Sequence, residues 1–137
     1  ETQVMLPRLE DDLLELMLAA ARGELPQERP RFSSLAALTV VLAAKNYPGP
    51  PITGSEIRNL ESAEAVEGVT VTHAGTCEEG GRLIAAGGRV LNVTALGASV
   101  AEAQARAYAA VDLIDWPGGF CRHDIGWREV AREGRFR

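Results

Sequence analysis

Apolar residues recur at helical spacing near both ends of the chain, and between those stretches they cluster or alternate as strands do. Leu9, Leu13, Leu16, Met17 and Ala20 fall on one face of a helix predicted over residues 7–22. Pro7 suits its first turn, Glu10, Asp11 and Asp12 sit near the positive end of its dipole, and Gly23 is its stop. A helix this short is marginal alone in water, so its apolar stripe needs a partner. Residues 24–34 are polar, contain Pro26 and Pro30, and read as a connection between two structural units.

The run Leu35–Ala44 is continuously apolar, and Thr39-Val40-Val41 at its centre predicts a buried strand. Asn46-Tyr47-Pro48-Gly49-Pro50-Pro51 breaks it, with Asn46 suited to a left-handed backbone. A short helix over Glu61–Val66, ended by Gly68, leads to a β-branched strand over Val69–Thr72. Arg82–Ala86 and Arg89–Leu96 read as the two arms of a tight hairpin turning at Gly87-Gly88, with Gly97 ending the second arm. Ser99-Val100-Ala101-Glu102 is a capping box, and Val100, Ala103, Ala107, Val111 and Ile114 continue a helix to about Asp115. Trp116-Pro117-Gly118-Gly119 stops it, and Phe120–Trp127 is read as a last edge strand. The order predicts an α+β fold: a mainly antiparallel sheet in a barrel-like half-domain, with one long and one short helix, behind a leading amphipathic helix.

Composition narrows what such a fold does. A chain of 137 residues, 46% hydrophobic, has material for one modest domain. With aromatics at only 5%, its core must be built from Val, Leu, Ile and Ala. A net charge of -5 opposes a nucleic-acid surface, which needs a basic stripe. Arg122, Arg128, Arg132, Arg135 and Arg137 make the end of the chain locally basic, and the simplest reading is a solvated tail. Cys77 and Cys121 are read as free thiols in a reducing compartment, which points to the cytoplasm. No apolar run reaches membrane-span length, so no membrane partner is expected. The chain opens on Glu1-Thr2-Gln3 rather than Met, as a piece cut from something longer would.

Self-contained catalytic motifs are missing: there is no GxSxG, HExxH or Walker loop. His73 and His123 with Cys77 and Cys121 match no common zinc spacing. His73, beside Gly75 and Thr76, reads either as lining a pocket at a strand end or as a structural histidine. Gly87-Gly88-Arg89 has two readings as well. Glycines admit close approach of backbone N–H groups to a phosphate, and the arginine fork matches phosphate geometry. A plain hairpin turn followed by a surface arginine is the simpler alternative.

Five strings carry a resemblance. Glu1-Thr2-Gln3 before Leu6-Pro7-Arg8-Leu9 resembles the end of the GDPETQ segment of the phosphoribosylamine–glycine ligases. Lys45-Asn46-Tyr47-Pro48-Gly49 is similar to that family's KGYPG, and His73-Ala74-Gly75-Thr76 to its HAGT. Gly87 through Gly97 resembles its GGRVLNVTALG, and Arg122 through Arg128 its RRDIGWR. The strings occur in the family's order and cover nearly the whole chain. Asn46 stands where Gly is usual, Thr72 where an aromatic is common, Cys121 where Tyr is common, and His123 replaces a second Arg.

The resemblance implies an ATP-grasp ligase that joins glycine to 5-phosphoribosylamine, with ATP going to ADP and phosphate, in purine synthesis. Glycine is activated as an acyl phosphate, and magnesium neutralises the triphosphate. The family's metal-binding Glu and Asn lie upstream of GDPETQ, so the ATP and Mg sites are expected outside this chain. Residues 1–34 then form the end of the ATP-grasp domain and 35–137 the ligase C-terminal domain, with the remaining domains of the same ligase as partners. By analogy, Arg89 holds the substrate 5-phosphate with Gly87 and Gly88, while His73, Gly75 and Thr76 line the pocket and Glu1 belongs to the active-site edge. Such a piece is expected to be inactive alone and to expose the stripe of Leu9, Leu13 and Met17, through which it could dimerise. The alternative from another class is a stand-alone, non-catalytic small-molecule or protein-binding module.

Overall fold

The structure, a computed structural model, describes residues 1–135; Arg137, counted above with the basic end, lies outside the described residues. In chain order the elements are α1 (Thr2–Met5), a 3-10 turn (Leu6–Arg8), α2 (Leu13–Arg22), β1 (Ala36–Ala44), β2 (Glu56–Ile57) and α3 (Leu60–Glu64). There follow β3 (Val69–His73), β4 (Thr76–Glu79), β5 (Arg82–Ala85), β6 (Arg89–Gly97), α4 (Val100–Leu113), β7 (Gly119–Phe120) and α5 (Trp127–Glu133). The antiparallel α+β expectation holds, with the strands divided between two sheets, β3-β6-β1-β7 and β2-β5-β4.

The larger sheet is built on the pairing of β1 with β6, which runs from Ala36↔Gly97 to Ala43↔Arg89. Side chains alternate across it. Leu38, Val40 and Leu42 face the core opposite Ala95, Val93 and Leu91. Ala103, Ala107, Ala110 and Val111 of α4 close over that face, and their small size brings helix and sheet backbones together. A Cβ on Gly97 would lie 2.6 Å from the Ala103 nitrogen, which is why β6 ends on glycine there. Leu91, Val40, Val90 and Val93 are fully buried, and each contributes about 1.5–3 kcal/mol of apolar transfer. On the other face Thr94 donates to Thr39 at 2.9 Å and Asn92 to Thr72 at 3.4 Å, so the two buried polar side chains are satisfied.

Several elements differ from the sequence reading. The leading helix begins at Leu13, not Pro7. Asp12 Oδ1 accepts from the N–H groups of Leu14 (2.8 Å) and Glu15 (3.1 Å) and fixes the start there. Residues before it are drawn into extended pairing: Leu9 bridges Phe32, the Glu10 N–H donates to the Arg31 carbonyl, and Asp11 binds Arg31. Gly23 ends the helix in a left-handed conformation, φ 73°, as expected. Of the stripe, Leu13 and Met17 are exposed as anticipated, together with Leu14 and Leu18, and α2 contains no buried residue, whereas Leu9 is half-buried at its bridge to Phe32.

The hairpin is also elsewhere. β5 pairs with β4, not with β6, and the tight turn is Gly80-Gly81, with φ 59° and 76°. Gly87-Gly88 instead carries the chain from one sheet to the other. The predicted edge strand shrinks to Gly119–Phe120 on Ala43 and Ala44. The end of the chain is not a plain solvated tail either: Gly126 turns at φ 79° into α5, and Glu133 reaches the N-terminus of α4.

Candidate functional site

The start of β6 is where the sequence-predicted residues meet. The Gly75 N–H donates to the Arg89 carbonyl (2.9 Å) and the Ala74 N–H to the Val90 carbonyl (3.0 Å), so the link from β3 to β4 wraps the strand's first residues. The Gly75 carbonyl accepts from Ala86 at 2.7 Å. A Cβ on Gly75 would sit 2.7 Å from the Gly87 Cα, so the two glycines touch backbone to backbone. Gly88 accepts from the Ala44 N–H at 2.8 Å, and a Cβ on it would lie 2.5 Å from the Tyr47 ring. Neither Gly87 nor Gly88 has a positive φ, so close approach, not turn geometry, is what demands glycine.

That crowding leaves donors over. Among the described residues neither the Gly87 nor the Gly88 N–H finds a protein acceptor, although both residues are half-buried. Arg89 is exposed, and no carboxylate of the described residues lies within ion-pair distance of it. His73 Nδ1 lies 3.0 Å from Thr76 Oγ1, which fixes the ring at the edge of the same corner while leaving it exposed. The structure thus brings His73, Gly75, Thr76, Gly87, Gly88 and Arg89 together. Undonated N–H groups beside an unpaired guanidinium form an arrangement suited to an anion.

Glu1 lies elsewhere. It caps α1, where its carbonyl accepts from Val4 and Met5, both at 3.0 Å. Val4 and Met5 border a concavity of about 380 Å³ with Arg8, Phe32 and Ala37. Ala37 pairs with Leu96, at the opposite end of the β1–β6 ladder from Arg89. Strand rise puts those ends roughly 20 Å apart.

His123, which replaces an arginine of the resembled string, stacks on Tyr108 with ring centroids 5.8 Å apart. The Tyr108 hydroxyl donates to the Arg122 carbonyl (2.8 Å) and accepts from the Ile125 N–H (3.1 Å), which holds the 122–125 turn. Burial pushes the Tyr108 phenol above its ordinary pKa. Arg122 forks onto Asp124 and holds that carboxyl below its usual range. Both thiols are free, and burial pushes each upward, away from thiolate. The sequence reading of single residues passed over Tyr47, whose packing on Gly88 no local pattern announces.

The family described as phosphoribosylglycinamide synthetase, C domain, matches residues 37–128. A phosphoribosylamine–glycine ligase of Mesorhizobium japonicum is 62% identical over 97% of this chain, and the chain spans 31% of that relative. The chloroplastic phosphoribosylamine–glycine ligase of Arabidopsis thaliana is 51% identical, again over 97% of this chain but 25% of its own length. The crystal structure of phosphoribosylamine–glycine ligase from Thermotoga maritima superposes with a TM-score of 0.66 at 33% identity, covering 81% of this chain and 26% of that one. The chain therefore belongs to the phosphoribosylglycinamide synthetase C-domain family, the domain that phosphoribosylamine–glycine ligases carry.

Proposed function

We propose that this chain serves as the C domain of an ATP-dependent ligase joining glycine to 5-phosphoribosylamine in purine synthesis, and that its part is to hold the substrate's 5-phosphate. The observation that carries the reading is the corner at the start of β6, where two half-buried glycines whose N–H groups find no protein acceptor precede the unpaired Arg89. An arginine fork and backbone N–H groups suit a phosphate without any bound metal. His73, Gly75 and Thr76 border the same corner and shape its rim.

ATP and magnesium belong to the reaction as its phosphoryl donor and charge-neutralising ion. Among the described residues no three His, Cys, Asp or Glu side chains converge where a metal could be held. In this reading, residues 1–34 are the end of the ATP-grasp domain and 35–137 the C domain. Support comes from burial: no residue before Leu38 is buried, whereas the core draws on residues from Leu38 to Trp116. The exposed face of α2 then awaits the remaining domains of the ligase. No helix among the described residues is long and apolar enough to cross a membrane. Two free thiols support a reducing compartment such as the cytoplasm.

The test is Arg89→Ala in the complete ligase. Removing one charge-assisted fork should raise KM for 5-phosphoribosylamine about tenfold. KM for ATP and for glycine should stay unchanged. An unaltered KM for 5-phosphoribosylamine would refute the assignment.

A further inference from the structure

The corner at Gly87-Gly88 has a second wall, formed by the segment that leaves β1. The Ala44 N–H donates to the Gly88 carbonyl at 2.8 Å, so Lys45 follows directly beside the glycine pair. Its main chain is clamped on both sides. The Lys45 N–H donates to the Gly118 carbonyl (3.0 Å), and its own carbonyl accepts from Ile52 (3.0 Å). Asn46 then takes a left-handed conformation, φ 76°, and donates from Nδ2 to the Pro50 carbonyl at 2.8 Å, which reverses the chain. That reversal lays the Tyr47 ring against the Gly88 Cα.

Register places Lys45 and Arg89 at the same end of the β1–β6 ladder. Arg89 pairs across the ladder with Ala43, and Lys45 stands two residues beyond Ala43. Lys45 is exposed, and like Arg89 it has no carboxylate of the described residues within ion-pair distance. Arg22, Arg82 and Arg128 also lack a carboxylate partner among the described residues, whereas Arg106 and Arg132 are paired. Lys45 and Arg89 come from the two segments that meet at the glycine pair, whose N–H groups lack acceptors.

We infer that Lys45 is a second phosphate ligand of this corner, placed opposite Arg89 across the Gly87-Gly88 N–H groups, and that the pair selects a dianionic phosphate monoester. The inference rests on the phosphate reading given above and deepens it. Arg89 supplies a planar fork that fixes direction, and Lys45 supplies a compact point charge for the second negative charge. Tyr47 acts as a positioning residue, since its ring keeps the glycine backbone from closing over the site. A singly charged phosphodiester or sulfonate gives Lys45 no second charge to meet and should bind more weakly.

The experiment is a titration of the 137-residue chain with ribose 5-phosphate, followed by the amide signals of Gly87 and Gly88 in nitrogen-15 spectra. Ribose and methanesulfonate are the comparison probes. Lys45→Ala is expected to weaken ribose 5-phosphate about tenfold, the loss of one hydrogen bond to a charged group. Methanesulfonate should lose much less. Lys45→Arg should recover most of the affinity, and Arg22→Ala, a charge removed at the far end of α2, should change nothing. Unchanged affinity in Lys45→Ala, with Arg89→Ala still weakening binding, overturns the Lys45 inference and leaves the Arg89 reading standing. Equal losses for phosphate and sulfonate overturn the dianion selectivity. If ribose 5-phosphate moves neither glycine amide, both readings fall.

Discussion

Replacing Glu133 by alanine should release the last helix from the domain. The side chain of Glu133, at the end of α5, accepts from the first two N–H groups of α4: Val100 at 2.9 Å and Ala101 at 3.0 Å. These are among the donors that a helix start leaves without intrahelical partners, and the helix dipole there favours negative charge. Ser99 Oγ takes the Glu102 N–H, and the Glu102 carboxylate takes the Ala98 N–H. Glu133 therefore completes a set that the local capping box leaves unfinished.

A half-buried carboxylate holding two N–H groups contributes about 2 kcal/mol, allowing for water that replaces it in the variant. For a domain of this size that corresponds to a melting temperature lower by roughly 7 °C. The effect should also be local. α5 has seven residues, none of them buried, and a free helix of that length does not persist in water. Glu133→Ala should therefore speed hydrogen exchange throughout α5 and at Val100 and Ala101, while the amides of β1 and β6 keep protection relative to global stability. Glu133→Gln keeps one acceptor and should lose about half as much. Urea denaturation with amide exchange reads both quantities. A loss below about 0.3 kcal/mol, or unchanged exchange in α5, would refute the latch, because surface substitutions away from such features fall in that range.

Gly75→Ala should cost about 3 kcal/mol in urea denaturation, near the upper end for overpacking, because its new methyl would meet backbone of Gly87 and Arg89 at 2.7 and 2.8 Å. Gly88→Ala meets the Tyr47 ring at 2.5 Å instead, so Tyr47→Ala should rescue it and not Gly75→Ala; equal rescue of both would refute the packing argument. Cys77 and Cys121 are both raised by burial, so at pH 8 each should alkylate with iodoacetamide more slowly than free cysteine; a faster rate at either would contradict that environment. Asp11, Asp124 and Glu129 are held below their ordinary pKa by hydrogen bonds, Asp11 through Arg31, Asp124 through Arg122 and Glu129 through Arg132. Their folded values lie under the unfolded ones, so what they contribute is present above about pH 4.5 and lost as pH falls through the folded values. Carboxyl carbon shifts in an acid titration should show all three titrating below their unfolded values, and a midpoint at the ordinary value would refute the pairing at that residue.

The parts of the fold that were legible are those where a period decides the matter. β1, β3, β6 and α4 stand within a residue or two of their predicted bounds, because alternation and helical spacing each select one face, and a buried face tolerates no slip. The hairpin was misplaced for a different reason. Gly80-Gly81 and Gly87-Gly88 are both glycine pairs between β-prone runs, and local sequence gives them equal standing as turns. Only the long-range contact of Gly87 with Gly75, and of Gly88 with Tyr47, separates a glycine used for positive φ from one used for close approach. The start of α2 was displaced by an equally distant partner, since Arg31 and Phe32 draw residues 9–11 into extended pairing.

α5 did leave a signal, in Glu129 and Arg132 at helical spacing after a glycine, but the charge of that stretch masked it. What makes it a fixed element is Glu133, whose partners lie 32 and 33 residues earlier. The same holds for the candidate site. Gly87, Gly88 and Arg89 are adjacent in sequence, so a phosphate reading of them was available from the string. Gly75 closes on Gly87 and Tyr47 on Gly88, leaving room for glycine alone. Gly75 against Gly87 and Tyr47 against Gly88 are long-range contacts, so the demand for glycine at this corner arises only once both flanking loops are in place.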